Sequence, residues 1–154
     1  MTTQTSPITL LSLGKQKYLN LTTFRRTGAA VDTPVWFVQL EDTVYIYSDA
    51  TAGKVKRIRN NPQVQIAVCT MLGKVIGPTV TGVARIVTDP QEQARAQAAL
   101  DAKYWIARRL LSLLYGTIHL LYRSKPADSI VYLAVMTTPP RYPEYGEGRA
   151  RLPA

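Results

Sequence analysis

"YLNLTTFRRTGAAVDTPVWFVQLEDTVYIYS", Tyr18 to Ser48, decides the fold. Tyr18 to Phe24 alternates and carries β-favouring residues, so it reads as a strand. A polar, glycine-containing connection, "RRTGAAVD", leads to a second strand, "TPVWFVQL" (Thr33 to Leu40). Pro34 belongs near that strand's start or on a sheet edge, where a missing N–H matters least. "EDT" then turns the chain into "VYIYS" (Val44 to Ser48). Three strands in about 30 residues leave room only for short loops, and short loops permit only antiparallel pairing.

Two further strands follow, "QVQIAVCTML" (Gln63 to Leu72) and "TVTGVARIV" (Thr79 to Val87), separated by a turn holding Gly73 and Gly77. Gly82 inside the second marks a bulge or a close approach by another group. The texture then changes to "DPQEQARAQAALDAKYWIARRLLSLLYG", rich in Ala, Gln, Arg and Leu. Asp89 is placed as an N-cap, Pro90 as the first helical residue and Glu92 in the first turn, which predicts one long helix or two from Pro90 to about Tyr115. "SIVYLAVM" (Ser129 to Met136) is a last strand. Residues 1–136 form the expected domain, with its core at about 15–136, and the Pro/Gly/Arg-rich tail 137–154 reads as flexible. About six strands, with a short helix after the third and a longer one after the fifth, predict a mainly β (α+β) protein: an antiparallel barrel with helices at its ends.

The chain has 154 residues, 46% hydrophobic and 19% charged, as expected of one compact domain. Its net charge of +9 favours anionic partners: nucleic acid, a membrane surface or a phosphorylated small molecule. The single cysteine, Cys69, excludes an intrachain disulfide framework. "MTTQTSPITLLSLGK" lacks the basic start and long apolar run of a signal peptide. No stretch approaches the roughly 18 apolar residues that span a bilayer. A cytoplasmic protein without stable membrane insertion is expected.

Much side-chain chemistry is ruled out. One histidine, His119, leaves no His/Cys zinc site, so no metal is expected. A Cys69–His119 dyad is one reading, but Cys69 sits mid-strand and His119 in an apolar segment, and both read as packing residues. "AGKVK" fails as a P-loop, because Ser48 and Val55 stand where that motif needs a glycine and a Ser/Thr. No G-x-G-x-x-G occurs, and among ten scattered carboxylates only Glu41 and Asp42 are adjacent. No catalytic residue can be assigned, so redox or group-transfer chemistry would have to come from a bound cofactor.

The exception to this blandness is "SDATAGKVKRIRNNP" (Ser48 to Pro62). A helix over Gly53 to Asn60 puts Val55 and Ile58 on its core side, Lys54 and Arg57 together on a flank, and Lys56 away from both. Asn60, Asn61 and Pro62 stop it, and Ser48, Asp49 and Thr51 are candidate caps. Backbone N–H groups, the positive end of the helix and two cations then share one side, which suits a phosphate. A solvated face is the plainer reading of this segment alone. Nucleic-acid binding is another, since residues 43–88 hold six cations against Asp49, although neither a recognition helix nor a stacking platform is visible.

With the order of its elements added, "YLNLTTFRRTGAAVDTPVWFVQLEDTVYIYSDATAGKVKRIRNNPQVQIAVC" resembles the core of the pyridoxamine-phosphate-oxidase-like split β-barrels. More narrowly, it resembles their flavin/deazaflavin-dependent oxidoreductase branch. T-P-V-W-F (Thr33 to Phe37), G-K-V-K-R-I-R, the N-P break, "VTGVARIV", "DP", an alanine-rich helix and "KYW" all follow family order over roughly residues 15 to 136. The resemblance implies a homodimer with the cofactor at the subunit interface. It implies that Thr33, Pro34, Val35 and Trp36 lie along the ring and ribityl chain, and that Tyr47 and Ser48 end a strand beside the phosphate. Lys54 is implied as the main phosphate ligand, supported by Lys56 and Arg57, with a partner-chain contact near Pro78 to Val80. The motifs look closest to members using the deazaflavin coenzyme F420, with FMN second and haem or no cofactor as further possibilities. The implied activity is hydride transfer from reduced deazaflavin to a small unsaturated or conjugated acceptor; alternatives are an FMN-binding oxidoreductase or a non-catalytic flavin/deazaflavin carrier. Pyridoxamine-phosphate oxidation itself is not expected, since no counterpart of that enzyme's carboxy-terminal substrate segment appears. "ARRLLSLLYGTIHLLYR" reads as a helix packed on the barrel or dimer, with a basic amphipathic membrane contact as runner-up.

Overall fold

The computed structural model describes residues 13–114 and 129–137. It contains β1 (Leu19–Phe24), β2 (Ala30–Val35), β3 (Phe37–Leu40), β4 (Thr43–Asp49), α1 (Gly53–Asn60), β5 (Gln63–Val68), β6 (Val80–Ile86), α2 (Pro90–Leu114) and β7 (Ile130–Thr137). All seven strands join one sheet in the order β2-β1-β5-β6-β7-β4-β3, and every pairing is antiparallel.

The two strands at the ends of that order, β2 and β3, are consecutive in the chain with only Trp36 between them. The sheet must therefore curl until its ends meet at Trp36, making a barrel split at that point. The expected single strand Thr33 to Leu40 is thus two, and the strand count is seven rather than about six. Val35 pairs with Leu19 of β1, while Phe37 pairs with Ile46 of β4. The strand also starts earlier than expected, at Ala30, after a turn in which Gly28 adopts φ +87°. Pro34 does lie on an edge strand, near its end.

Alternation sorts the side chains into two layers. Leu19, Leu21, Val35, Phe37, Val44, Ile46, Val64, Ile66, Leu133 and Val135 point into the barrel, where Val55 and Ile58 of α1 join them. Burying each large aliphatic contributes about 1.5–3 kcal/mol. On the outer face, Val38, Tyr45 and Ala134 pack beneath Ala96, Leu100 and Tyr104 of α2. Trp36 belongs to this outer layer, opposite its neighbours Val35 and Phe37, as strand alternation requires.

The start of α2 follows the sequence closely. Asp89 caps it, its Oδ1 accepting from the Gln91 amide at 3.2 Å, and Pro90 is its first residue. Strand β5 stops at Val68, short of the expected Leu72, because a turn with Gly73 at φ +87° intervenes. Gly82 is a close approach: a Cβ there would lie 2.8 Å from the Met136 carbonyl oxygen of β7. His119 and the tail lie outside the described residues.

Candidate functional site

Helix α1 sits directly after β4 and covers the barrel with Val55 and Ile58. Its N-cap is Ala52, which has no side chain to cap with. The capping role expected of Ser48, Asp49 or Thr51 is not realised. Asp49 Oδ1 instead accepts from the Thr51 amide (2.8 Å) and hydroxyl (2.6 Å), closing its own local turn, and Ser48 Oγ donates to the Asp49 carbonyl at 3.2 Å. The amides of Gly53 and Lys54 consequently meet no acceptor among the described residues. At the other end, Asn61 leaves the helix in an extended conformation, its N–H donating to the Arg57 carbonyl at 2.8 Å.

Two cations converge on this uncapped start. Arg57 Nε donates to Thr23 Oγ1 at 2.7 Å, and Thr23 is fully buried on β1. That bond folds the guanidinium back over Gly53, where an added Cβ would stand 2.8 Å from Arg57 Nη1. Glycine is therefore what lets the guanidinium close over the first turn. Burial pushes the Lys54 amine below its ordinary value, repulsion from Arg57 lowers it further, and Asp49 partly offsets both. Neither Lys54 nor Arg57 forms an ion pair among the described residues. Two cations, free amides and the positive helix end form a donor set matched to a phosphate. Lys56 is exposed and stands apart from the pair.

A second feature lies on the outer face. Trp36 stacks on Tyr104 of α2, ring centroids 4.7 Å apart and 4° from parallel. Tyr47 and Tyr132 meet edge to face at 6.3 Å. These four rings, with Leu100 and Ile130, wall a cavity of about 190 Å³ that Gln97 and Asp101 complete with polar groups. Such a mainly apolar pocket with few polar groups is the usual form of a small-molecule site.

The other residues singled out in the sequence fall into different places. Thr33 is half-buried and Pro34 exposed, the latter within contact distance of the Gly73 turn. Val35 and Ser48 point inward and are buried, so only their backbones could face a ligand. Val80 begins β6 and packs on the core, while Pro78 and Thr79 are exposed. Cys69 is buried, with burial raising its thiol pKa, which suits packing rather than nucleophilic work. No metal-binding cluster occurs among the described residues. Sequence reasoning gave no role to Thr23, Gln97, Asp101, Tyr104 or Tyr132. The one signal available was "KYW", which contains Tyr104.

The family model for pyridoxamine 5'-phosphate oxidase matches residues 10–134. No functionally curated protein matches significantly. Among solved structures, a conserved hypothetical protein from Mycobacterium tuberculosis is similar with a TM-score of 0.61 at 15% identity, over 88% of this chain and 82% of that one. An F420 reductase is similar with a TM-score of 0.53 at 22% identity, over 83% and 92% of the two chains. The heme storage protein HutZ from Vibrio cholerae gives 0.54 at 18% identity, over 81% and 84%. At these identities the three structures share the fold.

Proposed function

Because the chain belongs to the pyridoxamine 5'-phosphate oxidase family, a flavin-binding family, we propose that it is an oxidoreductase using a ring cofactor with an anionic tail. The cofactor is reduced deazaflavin, coenzyme F420, with FMN as the second candidate, and the acceptor is a small unsaturated or conjugated molecule. The observation that carries this reading is the Lys54–Arg57 couple, which has no ion-pair partner among the described residues, at the uncapped start of α1. It lies a few residues beyond Tyr47, which walls the aromatic cavity.

Lys54, Arg57 and the amides of Gly53 and Lys54 hold the phosphate, and Lys56 lends long-range charge. Trp36 and Tyr47 offer ring faces to the cofactor, while Thr33, Pro34 and the backbones of Val35 and Ser48 border it. When bound, the ring supplies hydride transfer. The chain's own work is to orient reactants and exclude water from the aromatic-walled space. A surface of +9 favours the more anionic deazaflavin tail over a single phosphate. A homodimer with the cofactor between subunits, each chain contributing near Pro78 to Val80, completes the proposal. A carrier without turnover is the second reading, favoured by the fold shared with a heme storage protein.

Equilibrium titration of the purified apoprotein with coenzyme F420 and FMN in parallel, followed by ring fluorescence, tests the cofactor. Tighter binding of the deazaflavin is expected, and saturation by neither ring would overturn the reading. Reoxidation of the loaded, reduced protein by a panel of enones and quinones separates enzyme from carrier.

A further inference from the structure

The second half of α2 leaves a stripe of large apolar side chains uncovered. Ile106, Leu110, Leu113 and Leu114 recur at i, i+4, i+7 and i+8, the spacing that lines one side of a helix. Leu110 is 55% exposed, Leu113 77% and Leu114 76%, and Trp105 beside them is 57% exposed. Single exposed leucines are ordinary, but a contiguous stripe of this kind marks a contact surface. The residues that hold α2 to the sheet, Ala96, Leu100 and Tyr104, lie nearer its N-terminal end.

Charge decides what covers the stripe. From Ala102 to Leu114 the sequence contains Lys103, Arg108 and Arg109 and no carboxylate, with Lys103 turned over the Phe37 ring. Arg109 is exposed within the stripe's own stretch. Two copies meeting through this face would set cation against cation, which opposes self-association. An anionic lipid surface meets both properties at once: acyl chains take Leu110, Leu113 and Leu114, headgroups take Arg109, and Trp105 has the amphipathic ring suited to the boundary. No helix among the described residues is long and apolar enough to cross a membrane, so the helix would lie on the surface rather than span it.

We propose that the C-terminal half of α2 docks this protein on anionic membranes through Trp105, Ile106, Leu110, Leu113 and Leu114. The test is sedimentation of the full chain with vesicles of phosphatidylcholine alone and of phosphatidylcholine mixed in equal parts with phosphatidylglycerol. The wild-type chain is expected to pellet with the mixed vesicles only, to be released as sodium chloride rises, and to stay in the supernatant as Leu110→Glu/Leu113→Glu. Trp105, observed alone in a Trp36→Phe background, is expected to shift its emission to the blue on vesicle addition, which tests the contact without disturbing the leucines. Failure to pellet with mixed vesicles, equal pelleting with both kinds, or an unmoved Trp105 spectrum overturns the proposal. So does a double variant that, sized without vesicles, has merely lost self-association, because the stripe would then be a contact between copies.

Discussion

Tyr104 holds its hydroxyl oxygen 3.1 Å from the Phe37 amide nitrogen and 2.9 Å from the Phe37 carbonyl oxygen, 67 residues away in sequence. The same hydroxyl lies 2.8 Å from the Lys17 carbonyl. It accepts from the amide and shares its proton between the two carbonyls. This ties α2 to the point where the barrel splits. Burial raises the phenol to about 12, so it stays protonated in this role at physiological pH.

Tyr104→Phe is expected to leave the buried Phe37 N–H without a partner and to lower stability by about 1–3 kcal/mol in urea unfolding. The ring remains, so the stack on Trp36 and its near-ultraviolet dichroism should persist. Tyr104→Leu removes both, and should lose stability and the signal together. If Tyr104→Phe unfolds at the wild-type midpoint, the hydroxyl is not what satisfies the break.

Lys54→Ala is expected to weaken cofactor binding about 10–100-fold, the loss of one charge-assisted contact. Arg57→Ala should weaken it similarly and also release Thr23, lowering stability. Lys56→Ala, at an exposed position apart from the pair, should leave affinity near wild type. Parallel fluorescence titrations rank the three, and a ranking led by Lys56 would move the anion to the other side of α1.

The uneven legibility of the sequence has a physical cause. The fold was readable because β1 alternates and the short loops after it permit only antiparallel pairing, and because Val55 and Ile58 are spaced to seat α1. The split at Trp36 was not readable, since Val35 and Phe37 both point inward and the alternation runs through the break undisturbed. Only the change of pairing partner, from β1 to β4, reveals it. The Lys54–Arg57 pairing is local and follows from helical spacing. The cavity is not local: Tyr47 meets Tyr132 only when β4 pairs with β7, and Trp36 meets Tyr104 only when α2 packs on the sheet. The caps were misread because Asp49 satisfies its own turn and leaves the helix start open.

Glu92 links three elements and predicts an acid-side weakness. It accepts from Arg85 Nη1 at 3.1 Å, from Arg85 Nη2, and from the Tyr45 hydroxyl at 2.8 Å. Arg85 first, and Tyr45 second, hold its carboxyl below the usual glutamate range. A carboxyl depressed on folding contributes stability fully above its unfolded value, about 4.3, and loses it as pH falls through the lower folded value. Arg85 is half exposed, so the contribution is discounted for solvent to about 1 kcal/mol. Glu92→Gln should therefore be less stable than wild type at pH 7, and the gap should close below pH about 4. A gap independent of pH would show that shape, not charge, holds the cluster.

Gly82 and Gly28 allow two glycine effects to be told apart. A Cβ on Gly82 would stand 2.8 Å from the Met136 carbonyl oxygen and 3.1 Å from Val135 Cγ1. The first contact is with backbone, so relief requires β6 and β7 to separate where they pair. Gly28 has nothing within 4 Å of its would-be Cβ, but its φ of +87° strains any other residue. Gly82→Ala should therefore lower stability by overpacking, about 1–3 kcal/mol, or roughly 3–10 °C in thermal midpoint. Gly28→Ala should lose only about 1 kcal/mol, by conformation alone. Amide exchange then distinguishes the mechanisms. Gly82→Ala should speed exchange along the β6–β7 ladder, whereas Gly28→Ala should confine any change to the β1–β2 turn. If the ladder stays protected in Gly82→Ala, the strands tolerate the methyl and this glycine is not needed for the close approach of β7.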